Sequence, residues 1–112
     1  MASSKRKYAG IERELIRTLT TACEIAKSEI VGFQWLTHEV DYAHFPQSLM
    51  VIWVFADEAS KARASSGAQK ARVLELTQAA VEETGISVAN IAAHVRFDSE
   101  QRQAGRSRGQ GH

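Results

Sequence analysis

The spacing of apolar residues divides the chain into helical and extended segments. From Ile11 to Gly32 apolar residues recur with the helical period, which predicts a core-facing helix of about five turns ending at Gly32. Two positions, Ile16 and Cys23, widen the apolar face of this helix. The remaining members of the face are Ile11, Leu15, Leu19, Ala22, Ala26 and Ile30. After Gly32 the pattern becomes extended.

Two strands with a short connection are predicted in the middle of the chain. The first, at about residues 33–42, places Phe33 and Trp35 on one face because side chains alternate along a strand. The only proline, Pro46, predicts a loop over about residues 43–48, since proline cannot donate to a strand ladder. The second strand, at about residues 49–55, is apolar at every position and therefore needs cover on both faces.

Helical composition returns after the second strand and is interrupted once. Asp57 is placed to cap a helix over about residues 59–64, residues 65–67 interrupt it, and a further helix covers about residues 68–84. Alternation over residues 94–98 predicts a last strand. The sequence therefore predicts an α+β fold, an α-β-β-α-(kink)-α-β two-layer sandwich whose helices cover one face of a small three-stranded sheet.

Length and charge suggest one domain with two tails. The 112 residues suffice for one small domain, predicted over residues 11–98, with a basic flexible tail at 1–10 and a disordered basic tail at 99–112. The two tails carry net charges of +3 and +2, so the domain between them carries −4. That balance argues against a nucleic-acid surface over the whole domain, and leaves a local basic patch or the tails as phosphate contacts.

Cysteine usage and hydropathy favour a cytoplasmic protein. Cys23 is the only cysteine, which excludes an internal disulfide, and no Cys/His spacing resembles a zinc site. No apolar run approaches the roughly 20 residues of a membrane helix, and the N-terminus lacks the apolar segment of a secretory signal. We expect neither cofactor nor membrane partner.

A local excess of positive charge surrounds the predicted break in the helix. Residues 59–74 contain four cations and no acidic residue: Lys61, Arg63, Lys70 and Arg72. If the two helical pieces meet at Gly67, these side chains would flank a helix N-terminus, whose free N–H groups favour phosphate. The pattern indicates a clamp on an RNA backbone, assisted by Lys5, Arg6 and Lys7, with little reading of bases. The alternative is a solvated helix face and tails without a specific partner.

The aromatic residues of the two strands allow two interpretations. Trp35, Trp53, Phe33 and Phe55 either belong to the core or line an uncovered second face of the sheet. An uncovered apolar face would suit a homodimer, a protein partner or stacked bases. The second functional hypothesis is therefore a homodimeric protein-interaction module that uses the second face of the sheet.

Polar residues near the end of the first strand are the candidates for chemistry. A metal site or an acid–base pair could be formed by residues among His38, Asp41, Tyr42 and His44. Their spacing matches no recognised motif, and no oriented nucleophile accompanies them. We therefore expect a non-enzymatic protein.

The element order resembles that of the type II KH domain, in which two helices meet at a GxxG loop that clamps about four nucleotides. Here Gly67 matches one of the two glycines, whereas Lys70 stands at the position of the other. The kink over residues 64–67 is similar to that of the ribosome-binding factor A family, bacterial ribosome-assembly proteins that lack GxxG. The resemblance implies a KH-like, RNA- or ribosome-associated protein.

A second resemblance rests on the segments GFQWLTHEVDY and VRFDSE. Both are similar to segments of small proteobacterial proteins that are sometimes labelled Fis-type transcription regulators. Fis itself is all-helical and ends in a helix-turn-helix, whereas this chain has two predicted strands in its middle.

Overall fold

Three strands form a mixed sheet, and the helices pack on one of its faces, as the sequence predicts. The computed structural model describes residues 9–103. Within them the order is α1 (Ala9–Glu29), β1 (Phe33–Glu39), β2 (Met50–Phe55), α2 (Glu58–Ala64), α3 (Gly67–Glu83) and β3 (Val95–Ser99). Short 3₁₀ turns at Tyr42–His44 and Ile91–His94 precede β2 and β3. No helix in this part of the chain has the length and apolarity to cross a bilayer.

The central position of β2 explains its wholly apolar sequence. β1 pairs with β2 antiparallel, and β3 pairs with β2 parallel on the other side. A parallel pair needs a crossover connection, which α2 and α3 supply. Trp53 and Phe55 are fully buried on or beside the helical face, while Ile52 and Val54 are buried on the opposite side. The prediction of a strand covered on both faces is confirmed.

The core is built around Trp53, beneath α1 and α3. Its side chain is fully buried, and its Nε1–H donates to the Oγ1 atom of Thr77 at 3.1 Å. Thr77 is also fully buried and donates in turn to the carbonyl oxygen of Val73 at 2.7 Å. The ring centroid of Phe33 lies 4.9 Å from that of Trp53 and 5.7 Å from that of Phe55. Three of the four aromatic side chains in β1 and β2 are therefore core residues.

The predicted placement of Phe33 and Trp35 on one face is wrong. A β-bulge shifts the register between them, so Phe33 pairs with Phe55 whereas Trp35 pairs with Val54. A bulge inserts one extra residue and so reverses the alternation beyond it. Phe33 consequently enters the core, and Trp35 lies on the second face, where its Nε1–H donates to Glu100 Oε2 at 3.0 Å.

The predicted start of the C-terminal tail at residue 99 is also wrong. Ser99 is fully buried at the end of β3, and residues 100–103 continue as a helical turn. Ser99 Oγ accepts from the backbone N–H of Arg102 at 3.0 Å and donates to the carboxylate of Glu58. The side chain of Gln101 accepts from the backbone N–H of Glu58 at 3.1 Å. This polar turn is held by partners far away in sequence. Of the predicted flexible tail at residues 1–10, residues 9 and 10 belong to α1, and residues 1–8, like residues 104–112, lie outside the described part.

Two predicted helix signals are confirmed. Asp57 caps α2, because its carboxylate accepts from the backbone N–H of Ser60 at 2.8 Å. Gly32 follows α1 with φ +82°, a left-handed conformation that glycine adopts without steric cost. A Cβ at Gly32 would also overlap the Ser60 side chain, so α1 and α2 approach closely at this point.

Candidate nucleic-acid interface

The helical segment breaks between Ala64 and Gly67, where the sequence predicts a kink. Ala64 is fully buried, and the backbone N–H of Ser65 closes the last turn of α2. Ser66 is extended, and Gly67 then takes φ +65°. Because a left-handed conformation is costly for residues with a Cβ, glycine at this position allows α3 to start in a new direction.

The first turn of α3 has no side-chain cap. Ser66 stands at the N-cap, but its hydroxyl makes no capping bond, and the first turn contains no acidic residue. The earliest backbone bond is from Lys70 N–H to the Ser66 oxygen at 3.4 Å, so the N–H groups of Gly67, Ala68 and Gln69 are available. A Cβ at Gly67 would meet nothing within 4 Å, which leaves the approach open. Free N–H groups at a helix start favour an anion.

Carboxylates lie beside two of the four predicted phosphate contacts. Arg72 donates to both carboxylate oxygens of Glu29, at 2.7 and 3.0 Å, and to Glu75 at 2.9 Å. Lys61 Nζ lies 3.1 Å from Glu58 Oε1, and only 23% of the Lys61 side chain is exposed. The excess of four positive charges counted along the sequence is therefore not kept in the fold. Three carboxylates reduce it to one, and Arg72 serves to join α3 to α1.

Electrostatics reinforces these pairs. The hydrogen bond from Arg72 lowers the pKa of the Glu29 carboxyl, and the bonds from Glu29 and Glu75 raise the pKa of Arg72. The pKa of Glu58 is lowered first by the hydroxyl of Ser99 and then by Lys61. The lowered pKa values keep Glu29 and Glu58 ionised at neutral pH, so a phosphate would compete with them for Arg72 and Lys61.

Arg63 and Lys70 are the two predicted contacts that stay open to an anion. Both are exposed, one in the last turn of α2 and the other in the first turn of α3. Arg63 donates to the hydroxyl of Ser60 at 3.2 Å and is near enough to the Asp57 carboxylate to help lower its pKa, after the bonds from Ser60, whereas Lys70 makes no ion pair among residues 9–103. We call these two side chains, with the free N–H groups of residues 67–69, the helix-break site. Lys5, Arg6 and Lys7 lie outside the described residues.

The polar residues after β1 form a local turn. Asp41 accepts a backbone N–H bond from the following 3₁₀ turn, and its other oxygen lies 3.1 Å from His44 Nδ1. Tyr42 donates to Glu12 Oε1 at 2.6 Å, and burial followed by that bond raises the pKa of Tyr42. His38 lies apart from them, beside α1. No group of three or more His, Cys, Asp or Glu within the described range could hold a metal ion.

The second face of the sheet offers little open apolar surface at its centre. Val54 is fully buried and Ile52 is 4% exposed. Trp35 of β1 and Asp98 of β3 are the two strand partners of Val54. Each is hydrogen-bonded to the helical turn at residues 100–103. This turn, which the sequence did not predict, occupies the region that a homodimer through the second face would need.

A groove between α1 and β1 was missed by the sequence reasoning. Its volume is about 440 Å³, and its walls include Ile16, Thr20, Cys23 and Lys27 from α1 and Leu36 and His38 from β1. Ile16 is 50% exposed and Cys23 half-buried, although both widened the predicted apolar face of α1. β1 pairs only with β2 within residues 9–103, so its other edge is open beside the groove. The sequence feature that could have indicated this groove is the apolar face of α1, which Ile16 and Cys23 widen.

A further hollow, of about 510 Å³, lies between the loop after β1 and the segment before β3. Pro46, Val88 and Ala93 form apolar parts of its wall, and His94 lies at its edge. The Nδ1 atom of His94 is 2.7 Å from the carbonyl oxygen of Leu49, which holds the ring in place. The lining of the hollow contains no lysine, arginine, aspartate or glutamate, and nothing in it indicates a ligand class.

Comparison with protein-family profiles, with curated proteins and with solved structures found no match. Function is therefore inferred from the geometry of the chain and from the resemblance carried by its element order.

Proposed function

We propose that this chain is a non-enzymatic RNA- or ribosome-associated binding protein of the bacterial cytoplasm, which holds a phosphate group at the helix-break site. The observation that carries the proposal is the uncapped start of α3. Three backbone N–H groups are free there, no acidic residue lies in the first turn, and Lys70 is exposed beside them. A helix start with these properties is suited to a phosphate oxygen.

The contact set is smaller than the four-cation clamp expected from the sequence. Arg63 and Lys70 supply the charge, and residues 67–69 supply neutral donors that carry no sequence information. Arg72 and Lys61 act chiefly within the fold, since each has a carboxylate partner. Such a set favours weak, salt-sensitive contact with a backbone and not the recognition of particular bases.

The resemblance to type II KH domains supports the same proposal. In those domains the junction between two helices contacts the nucleic-acid backbone. Here α2 and α3 meet at Gly67, and Lys70 replaces the second glycine of the motif. The homodimer through the second face of the sheet has less support, because Ile52 and Val54 are already covered.

Fluorescence anisotropy with a labelled single-stranded RNA tests the proposal. Binding should weaken between about 50 and 200 mM salt, since counterions are released at each phosphate contact. Lys70→Glu should weaken binding about tenfold, because a hydrogen bond to a charged group contributes about 1.5 kcal/mol or more. The salt slope should fall by about 0.7 for the contact that is lost.

Arg13→Glu is the matched control. Arg13 is exposed on α1 and lies about 24 Å along that helix from Glu29, which contacts α3. Both substitutions change the net charge equally, so a general charge effect would weaken binding equally in the two variants. Equal weakening, or no binding of the unaltered protein at the lower salt concentration, would reject the helix-break site.

A further inference from the structure

We propose that the helical turn at residues 100–103 is a strap that opens by itself while the rest of the fold stays intact, and that it controls access to the second face of the sheet. The strap follows β3 directly and consists of Glu100, Gln101, Arg102 and Gln103. While it is closed, Val54 and Asp98 on that face are buried. A partner can contact them there only after the strap has left.

The strap bridges the central strand. Trp35 of β1, Val54 of β2 and Asp98 of β3 lie side by side across the sheet. The indole of Trp35 donates to Glu100, which follows the end of β3, although β2 separates these two strands. Neighbouring strands lie about 4.8 Å apart, so the bond closes a bridge from one edge of the sheet to the other. Gln103 donates to Asp98 Oδ2 at 3.1 Å and so fixes the far end of the strap to β3.

Side chains, and not a strand ladder, hold the strap in place. Its two other anchoring bonds are from the backbone N–H of Glu58 to the side chain of Gln101 and from the backbone N–H of Arg102 to Ser99 Oγ. Each of the four bonds therefore has at least one side-chain partner. Water can replace such partners at exposed positions with a small net change in free energy. The ion pair of Arg102 with Asp98, at 3.7 Å, is weakened by solvent, because 56% of the Arg102 side chain is exposed.

The composition of the strap makes its opening a local event. All four of its residues are polar, so it has no apolar side chain whose burial would keep it closed. Ordering four residues costs about as much conformational entropy as four hydrogen bonds return. Strand pairing ends at Ser99, opposite Phe55, so the strap can leave without breaking the sheet. Segments with these properties open at a lower free energy than a buried strand such as β2.

Backbone hydrogen exchange, measured by NMR on the full chain, tests the inference. Relative to intrinsic rates, the Arg102 amide should exchange at least about 100-fold faster than the Trp53 and Val54 amides of β2. Low concentrations of urea should leave the Arg102 rate unchanged, since opening of the strap exposes little surface, but should speed exchange in β2. Equal opening free energies and urea dependences at Arg102 and in β2 would overturn the proposal. Exchange of Arg102 at the rate of an unstructured chain would also overturn it, because the strap would then never be closed.

Gln103→Ala removes the donor to Asp98 and should open the strap more often. The Arg102 amide should then exchange about two- to tenfold faster, the range for one lost hydrogen bond. Gln78→Ala is the matched control, since Gln78 also donates to a carboxylate, that of Glu82 at 2.8 Å, but lies on α3. It should leave the Arg102 rate unchanged, because it affects the closed and open forms equally. Equal acceleration by the two substitutions, or acceleration by neither, would contradict a separate strap.

The indole signals report whether the second face is uncovered. The chain has two tryptophans, and the indole of Trp53, bonded to buried Thr77, provides an internal reference. Gln103→Ala removes a bond that does not involve Trp35. If the strap moves as one unit, this variant should nevertheless speed exchange of the Trp35 indole N–H by the same factor as the Arg102 amide. An unaffected Trp35 indole would show that the bonds break one at a time, and the proposal would fail.

The strap and the helix-break site can be tested separately. Neither Gln103 nor Gln78 belongs to the helix-break site, and the exchange measurements need no RNA. A strap that fails these tests would leave the RNA proposal standing, and an absence of RNA binding would leave the strap unaffected.

Discussion

Replacing Thr77 with valine removes the hydroxyl that accepts a hydrogen bond from the buried indole of Trp53. Both side chains are fully buried, and the bond between them measures 3.1 Å. Valine has nearly the shape of threonine, so the substitution leaves no cavity and tests the polar contact alone. The Val73 carbonyl also loses a bond from Thr77, but it retains its place in the backbone ladder of α3.

The expected loss of stability follows from the unsatisfied indole N–H. A buried donor without a partner costs about 1–3 kcal/mol. The methyl group that replaces the hydroxyl recovers at most about 0.8 kcal/mol by burial. We therefore expect Thr77→Val to lower the free energy of unfolding by about 1–2 kcal/mol. For a domain of this size that corresponds to a decrease of about 5–15 °C in Tm.

Urea denaturation followed by tryptophan fluorescence measures this difference. Thr21→Val is the matched control, because the hydroxyl of Thr21 also bonds to a carbonyl oxygen one helical turn earlier, at 3.3 Å, but is exposed. No buried donor depends on it, so its substitution should change stability by less than about 0.5 kcal/mol. Equal stability of the two variants would refute the reasoning.

A double-mutant cycle with Trp53→Phe isolates the hydrogen bond. Trp53→Phe removes the donor and leaves a small cavity, so it destabilises by itself. On that background Thr77→Val should cost almost nothing, which gives a coupling energy of about 1–2 kcal/mol. A coupling energy near zero would show that the indole finds another partner.

The remaining predictions concern two glycines and one carboxylate. Gly32→Ala should destabilise by about 3 kcal/mol in urea denaturation, because a Cβ overlaps Ser60 and φ is positive; unchanged stability would contradict this packing. Gly67→Ala should cost only about 1–2 kcal/mol, since its φ is positive but the surrounding space is open; a cost equal to that of Gly32→Ala would show contacts at the break. Glu58 has a lowered pKa in the folded state, chiefly through Ser99. Its contribution to stability is therefore present above about pH 4.5 and lost as pH falls through the lower folded pKa. With Glu58→Gln, the free energy of unfolding should fall less steeply as the pH is lowered below about 4.5. An unchanged pH dependence would refute this role of Glu58.

The break in the helix was predictable from the sequence, but the pairing of its cations was predictable only in part. Serine and glycine at residues 65–67 interrupt a helical pattern locally, so the kink depends on few distant residues. Arg72 meets Glu29 only because α3 packs against α1, across 43 positions of sequence. Glu58 and Glu75 lie three residues from Lys61 and Arg72 on the same helices, just outside the counted range, so the sequence could have indicated those two pairs but not Glu29.

The bulge in β1 shows a similar limit. Strict alternation assigned Phe33 and Trp35 to one face, whereas one extra residue moves Phe33 into the core beside Trp53. The pairing partner, β2, decides where such a residue is inserted. The edge position of β1 likewise depends on strand order, which no local pattern contains.

The sequence by itself determined the order of the three main helices and the three strands, since apolar periodicity, glycines and capping residues act over a few neighbouring positions. It also marked β2 as a strand buried on both faces, because no polar residue interrupts it. Only the tertiary structure decided that Glu29 pairs with Arg72, which face Trp35 occupies and which strand edge is left open. Each of these depends on contacts between residues far apart in the chain, where packing and charge pairing select among arrangements that the local pattern allows equally.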